Sequence, residues 1–241
     1  MNIIKKGLTS FQLKIIALII MTVDHFGAYR LLTQSPDINV YMRIIGRIAA
    51  PVFLFLIVEG IRHTRSRTKY IARLYMAAAA TELLRVFFEI DMGNIFQTFF
   101  YAALYIICFD IMANAEAVTR RSLGAAAVTA LPVLFHLLPS HPVLRAFFPS
   151  LLNVEFSVIF VMLAVAWYFI NNKTINCVLF AGLALTLRFF NLFGGPLQWY
   201  MVLAVPFLFL YNGQKGRGGL KYFFYVYYPA HQILFFLISN L

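Results

Sequence analysis

An aspartate and a histidine stand side by side at Asp24–His25, inside the apolar run LKIIALIIMTVDHFG of residues 13–27. Histidine is the side chain best suited to moving a proton near neutral pH, and a neighbouring carboxylate can fix its tautomer and stabilise its protonated form. Neither group has a role against lipid, so their place within a spanning run points to function. Further along, Arg43 and Arg47 are four residues apart and therefore stack on one helix face, and Glu82 and Arg85 share a face three apart. Glu155 and Arg188 also fall in or beside apolar runs, and a second embedded imidazole, His231, follows Tyr227, Tyr228 and Pro229. Arginine's planar fork suits carboxylates, phosphates and carbonyl oxygens.

A structural reading competes with each of these. Glu82–Arg85 reads equally well as a buried ion pair, and an arginine near a helix end can snorkel to lipid phosphates. His63 sits among arginines and reads as interfacial; His136 and His141 flank a proline-rich linker and are given no role. The tyrosines at 222, 225, 227 and 228 read first as an aromatic belt at the membrane surface. The two cysteines, Cys108 and Cys177, form no CxxC and no Cys/His cluster, so neither a disulfide framework nor a metal site is expected.

The elements that must hold these groups follow from composition. Of 241 residues, 62% are hydrophobic and 12% charged, with a mean hydropathy of +0.80. Soluble domains carry about twice that share of charge. Disorder, a secreted disulfide scaffold and an ordinary soluble enzyme are excluded, and an all-α, polytopic membrane bundle remains. Apolar runs of spanning length fall at 11–32, 40–61, 70–90, 95–114, 122–138, 151–170, 174–192, 197–211 and 220–240. They predict about nine transmembrane helices, within a range of eight to ten, in one domain covering 1–241. The stretch NGQKGRGG at 212–219 is the one flexible loop by composition, and 138–150 is the longest linker. Lys5 and Lys6 before an apolar run mimic a signal peptide, but Asp24 and His25 interrupt it and no cleavage site follows, so a retained first span is expected.

The net charge of +11 would suggest nucleic acid in a soluble protein. Here most of the basic residues lie between apolar runs and read as an orientation signal, so no nucleic-acid partner is expected. Lys5, Lys6, Lys14, Arg62, Arg65, Arg67, Lys69, Arg73, Arg120, Arg121, Lys173, Lys215, Arg217 and Lys221 fall on one side of a nine-span chain. The other side holds only arginines: Arg30, Arg43, Arg47, Arg85, Arg145 and Arg188. This bias predicts a cytoplasmic N-terminus and an outer C-terminus. Asp24, His25, Arg43, Arg47, Glu82, Arg85, Glu155 and Arg188 then come from five spans at one depth, as the walls of an intramembrane site would.

Four segments resemble the TraX family in order along the chain. They are LKIIALIIMTVDHFG (13–27), RIIGRIAAPVFLFLIVEG (43–60), TELLRVFF with NIFQTFF (81–88 and 94–100), and KYFFYVYYPAH (221–231). Where the family pattern has a proline and often an acid after the glutamate, this chain carries Leu84, Arg85 and Glu89. The resemblance implies a membrane acetyltransferase of the bacterial inner membrane, linked to acetylation of conjugative pilin. Acetyl-CoA would be the co-substrate from the cytoplasm, and a peptide or glycan the acceptor on the far side. His25 would act as base with Asp24 behind it, and Arg43 and Arg47 would stabilise the developing oxyanion. Arg62, Arg65, Arg67 and Lys69, with His231, would receive the coenzyme, and Arg73 adds to the same basic run. Glu82, Arg85, Asn94, Gln97, Thr98 and Arg188 would meet the acceptor. Direct transfer is expected rather than a Ser/Cys acyl-enzyme, with an acetyl-histidine relay as the alternative. A transporter or flippase using the same groups as a mid-membrane substrate site is the runner-up. Against it stands the absence of an internal inverted repeat and of matched Gly/Pro-broken spans.

Overall fold

A computed structural model describes residues 7–91, 93–137, 141–190, 193–218 and 221–241. Lys5 and Lys6, counted above among the basic residues, lie outside the described residues, as do the first three residues of the 138–150 linker after Leu137. The described chain is all-helical and holds no strand; one isolated parallel bridge joins Leu8 to Tyr211.

Three helical stretches are long and apolar enough to cross a membrane: Ser10–Tyr29, Pro36–His63 and Ile95–Asn114. Ser157–Ile170 and Gln198–Leu210 are apolar but shorter. Nine spanning helices are therefore not established, and the reason is local in each case. The helix expected at 70–90 runs Arg67–Phe88 and carries Arg67, Lys69, Arg73, Glu82 and Arg85. The run at 151–170 is divided by left-handed φ at Phe156 and Ser157, which leaves a 3-10 turn at Leu151–Asn153 and a helix of 14 residues. The run at 197–211 is a 3-10 helix, Gln198–Ala204, followed by a short α-helix beginning at Val205 with Pro206 in its first turn.

The chain divides into two compact units. The first joins Met1–Leu56 with Ile170–Leu241. It contains α1 (Ser10–Tyr29), α2 (Pro36–Gly46), the start of α3 (Ala49–His63), α9 (Lys173–Phe189), the 3-10 helix, α10 (Val205–Leu210) and α11 (Lys221–Ser239). Helix α1 packs on α2 and α11, and α2 and α9 pack on the 3-10 helix. The break between α2 and α3 falls at Arg47–Ile48, whose N–H groups turn back to Ile44 and Ile45. Pro51, four residues after Arg47, has no N–H for the Arg47 carbonyl and its ring crowds that carbonyl, which interrupts the helix there.

The loop read as flexible is tied down in this unit. Gln214 and Lys215 accept from the N–H groups of Ser10 and Phe11, and Asn212 donates to Leu8. The loop thus fills part of the hydrogen-bonding demand at the start of α1, beside the Thr9–Gln12 capping box.

The second unit, Ile57–Phe169, contains α4 (Arg67–Phe88), α5 (Ile95–Asn114), α6 (Val118–Leu137), α7 (Pro142–Phe147) and α8 (Ser157–Ile170) but for its last residue. Helix α5 is its centre, packed by α4 and α6, with most of its first fourteen residues buried.

Candidate active site

Helices α1 and α2 approach so closely in the first unit that Gly46 lies against Asp24. A Cβ on Gly46 would collide with Asp24 Oδ1 and Asp24 Cβ. The i, i+4 pair on α2 embraces this carboxylate. Arg43 donates to Asp24 Oδ2, and Arg47 Nη2 donates to Oδ1 at 2.9 Å. Arg47 is fixed further: its Nε donates to the Arg43 carbonyl at 3.1 Å and its Nη1 to Gln198 Oε1 at 3.1 Å. Gln198 is fully buried at the head of the 3-10 helix. One carboxylate is thus shared by two guanidinium groups, which leaves a net positive charge at this point.

His25 faces a different helix. Residues adjacent in an α-helix point about 100° apart. While Asp24 turns to α2, the ring of His25 turns to α11, where its Nδ1 meets His231 Nε2 at 2.9 Å. The expectation that Asp24 orients His25 is corrected on this point: the carboxylate binds the arginines, and the neighbour of the imidazole is a second imidazole. His231 Nδ1 in turn meets the Tyr227 carbonyl at 2.8 Å. Both rings are buried. One turn earlier on each helix, Thr22 Oγ1 donates to the Leu18 carbonyl, so the Tyr227 hydroxyl donates to Thr22, at 2.7 Å. The Tyr227 ring stacks on His231 with centroids 5.1 Å apart, and Phe235 meets it edge-on at 5.7 Å. Arg188 has a separate place, its guanidinium 5.6 Å from the centre of the Trp199 ring.

The second unit gathers Glu82, Arg85, Asn94 and Gln97. Glu82 Oε2 accepts from Arg85 Nη1 at 2.9 Å, Asn94 Nδ2 at 3.0 Å and Gln97 Nε2 at 3.2 Å. Thr98 donates to the Glu155 carbonyl at 2.7 Å, and the Glu155 carboxylate lies over Gly93.

The basic run 62–73 does not present one free cationic surface. Arg62 donates to Glu59 at 2.6 Å and to the carbonyls of Trp167 and Tyr168 at 2.6 and 2.9 Å, closing carbonyls at the end of α8. Arg67 donates to Asp110 at 2.5 Å and to the Tyr168 hydroxyl at 2.9 Å, and the Asp110 bond pushes its guanidinium pKa further up. Arg65 and Lys69 are exposed. His63 has an exposed ring whose Nδ1 meets the Glu59 carbonyl. Among the described residues no group of three His, Cys, Asp or Glu side chains is placed to hold a metal ion.

Sequence reasoning passed over Gln198, Thr22, Glu59 and Asp110. Gln198 had a signal, a lone amide in a run read as spanning, because a buried amide needs a partner.

Fold and site define an all-helical protein with membrane-length apolar helices, buried acid and imidazole groups and part-buried guanidinium groups. The chain belongs to the TraX family: the family model described as TraX protein matches residues 10–239. It is 27% identical over 243 residues to the Probable fimbrial assembly protein FimC, serogroup H1, of Dichelobacter nodosus, which covers 92% of each chain. An uncharacterized protein of Rickettsia prowazekii is 49% identical over 55 residues, 22% of this chain and 20% of that one. No solved structure matches.

Proposed function

We propose that this protein is a membrane-embedded acetyltransferase. It moves an acetyl group from acetyl-CoA to an amine or hydroxyl of a peptide or glycan, in the assembly of a fimbria or pilus. The observation that carries the reading is a buried imidazole, His25, one helix position from a carboxylate that immobilises two arginines. The coenzyme supplies a thioester carbonyl. His25 takes the proton of the acceptor N–H or O–H as that atom bonds to the carbonyl carbon, and returns it to the sulfur as the C–S bond breaks. Arg43 and Arg47 oppose the negative charge that develops on the carbonyl oxygen, and Asp24 holds them in place. The similarity to a protein named for fimbrial assembly supports the biological setting.

The Glu82, Arg85, Asn94, Gln97 and Thr98 group remains a proposed contact for the acceptor, and Arg188 a separate one. Arg65 and Lys69, exposed in the 62–73 run, are the proposed contacts for the phosphates of the coenzyme. We place the protein in the bacterial inner membrane as one functional domain of about nine spans with a cytoplasmic N-terminus. Thiol labelling tests that orientation in a chain with Cys108 and Cys177 replaced by alanine. Gln214→Cys should react only from the cytoplasm and Asn240→Cys only from outside; reaction of both from one face removes the span between them.

The chemical test uses purified protein in detergent with radiolabelled acetyl-CoA and, in parallel, a synthetic peptide with a free N-terminus and glucosamine. Wild-type protein should label one acceptor. His25→Ala should remain folded and lose about 10²-fold or more of that rate, the scale of losing a general base. A folded His25→Ala protein that transfers at the wild-type rate ends this assignment. Acceptor uptake by sealed vesicles without acetylation would establish the transporter reading instead.

A further inference from the structure

We infer that His231 is a positioning residue that holds His25 in one tautomer, so that the lone pair of His25 is presented on Nε2. The chain of reasoning starts at a backbone carbonyl. The Tyr227 oxygen can only accept, so His231 Nδ1, 2.8 Å away, carries its proton. In a neutral ring the other nitrogen, Nε2, is then an acceptor. His25 Nδ1 lies 2.9 Å from that atom and must donate to it. With its proton on Nδ1, His25 bears its basic lone pair on Nε2.

The arrangement does the work of the carboxylate in a triad with a carbonyl and a second imidazole in its place. It also explains the surroundings of His231. The stacked Tyr227 ring, held through its hydroxyl by Thr22, and the edge of Phe235 fix the plane of the imidazole, and the plane sets where its Nε2 points. Asp24 is turned elsewhere, its two oxygens bonded to Arg43 and Arg47 on α2. The role assigned here departs from the reading of His231 as a coenzyme contact.

The tautomer part of this inference stands without the acetyltransferase reading; only its kinetic arm rests on it. The test is nitrogen NMR of the purified full chain with 15N-labelled histidine, where protonated and bare ring nitrogens give separate shifts. There are five histidines, and His25→Gln and His231→Gln each remove one set of signals for assignment. Wild-type His25 should show a protonated Nδ1 and a bare Nε2. His231→Phe keeps a ring against Tyr227 but offers no acceptor, and should move His25 toward the Nε2-protonated form. His231→Gln places a carbonyl oxygen near the lost Nε2 and should keep the wild-type tautomer. In the transfer assay, His231→Phe should lower kcat by about 10²-fold, as loss of a correctly presented base does, with the KM for acetyl-CoA unchanged and most of kcat recovered in His231→Gln. A wild-type His25 protonated on Nε2, or on both nitrogens, overturns the inference, as does a tautomer indifferent to His231→Phe. A raised KM with unchanged kcat would return His231 to coenzyme binding. If wild-type protein transfers no acetyl group but His25 has the stated tautomer, the acetyltransferase reading fails and the inference about His231 stands. If His231→Phe does not fold, the wild-type spectrum and His231→Gln still decide.

Discussion

The two units handle buried charge in opposite ways. In Ile57–Phe169 three acids each pair with one arginine: Glu59 with Arg62, Asp110 with Arg67 and Glu82 with Arg85. The remaining donors of Arg62 and Arg67 go to carbonyls and a tyrosine hydroxyl. In the other unit one acid, Asp24, is set against two arginines, and nearby on the same helix an imidazole bonds only to groups that leave it a lone pair. Through their bonds Arg62 ties α3 to α8 and Arg67 ties α4 to α5. Unmatched positive charge beside a base is an arrangement for chemistry, because it opposes charge that appears only during a reaction. The same residue types thus serve as ties at Arg62 and Arg67 and as a candidate site at Asp24, Arg43 and Arg47.

The comparison can be broken most directly at its carboxylates. Asp24 has 11% of its side chain exposed, as has Arg47, while Arg43 has 31%, so Asp24→Ala leaves the Arg47 guanidinium largely out of solvent and facing a second, part-exposed one. A loss of about 3–5 kcal/mol is expected for a buried pair broken from one side. Asp110 and Arg67 are more exposed, at 19% and 39%, and Asp110→Ala should cost about 0–1 kcal/mol, the range of screened pairs. Thermal denaturation in one detergent compares them, and equal shifts would erase the distinction between the units.

A pair of glycines sharpens it. At Gly46 a new Cβ meets Asp24 at Cβ and Cγ, near the backbone, where a side chain has no room to swing. At Gly93 it meets only the carboxylate tip of Glu155. Gly46→Ala should destabilise by about 1–3 kcal/mol, as an overpacked contact does, and Gly93→Ala by less, since a long side chain can turn aside. A greater loss in Gly93→Ala would show that the Glu155 carboxylate is the more rigidly held acid.

The smallest effect concerns the basic run. Replacing exposed Arg65 and Lys69 with glutamine should leave the melting temperature unchanged and weaken acetyl-CoA binding a few-fold, more at low salt than at high. Arg62→Gln should do the reverse, lowering stability through the carbonyls of Trp167 and Tyr168. Binding isotherms at two salt concentrations with melting curves separate the two, and a double variant that binds normally at low salt would reduce Arg65 and Lys69 to orientation signals.

The sequence by itself determined the helical class, the apolar runs of α1, α2–α3 and α5, and the presence of an acid and an imidazole inside one of them. Those follow from hydropathy and from the cost of embedded charge, which are local properties. It also determined that Arg43 and Arg47 act on one face, because a separation of four residues is one turn of helix. Adjacency misled at Asp24–His25, where the helical rotation sends neighbouring side chains to different partners. Run length misled at 151–170 and 197–211, where left-handed residues and a proline divide hydrophobic stretches that hydropathy reads as continuous. Only the tertiary structure could decide that Gln198 completes the Arg47 bonds or that His231, 206 residues away in sequence, is the neighbour of His25. Hydrogen-bond partners are set by which helices meet and at what register, and the meeting of α1 with α11 is a long-range contact that no local pattern of the chain records.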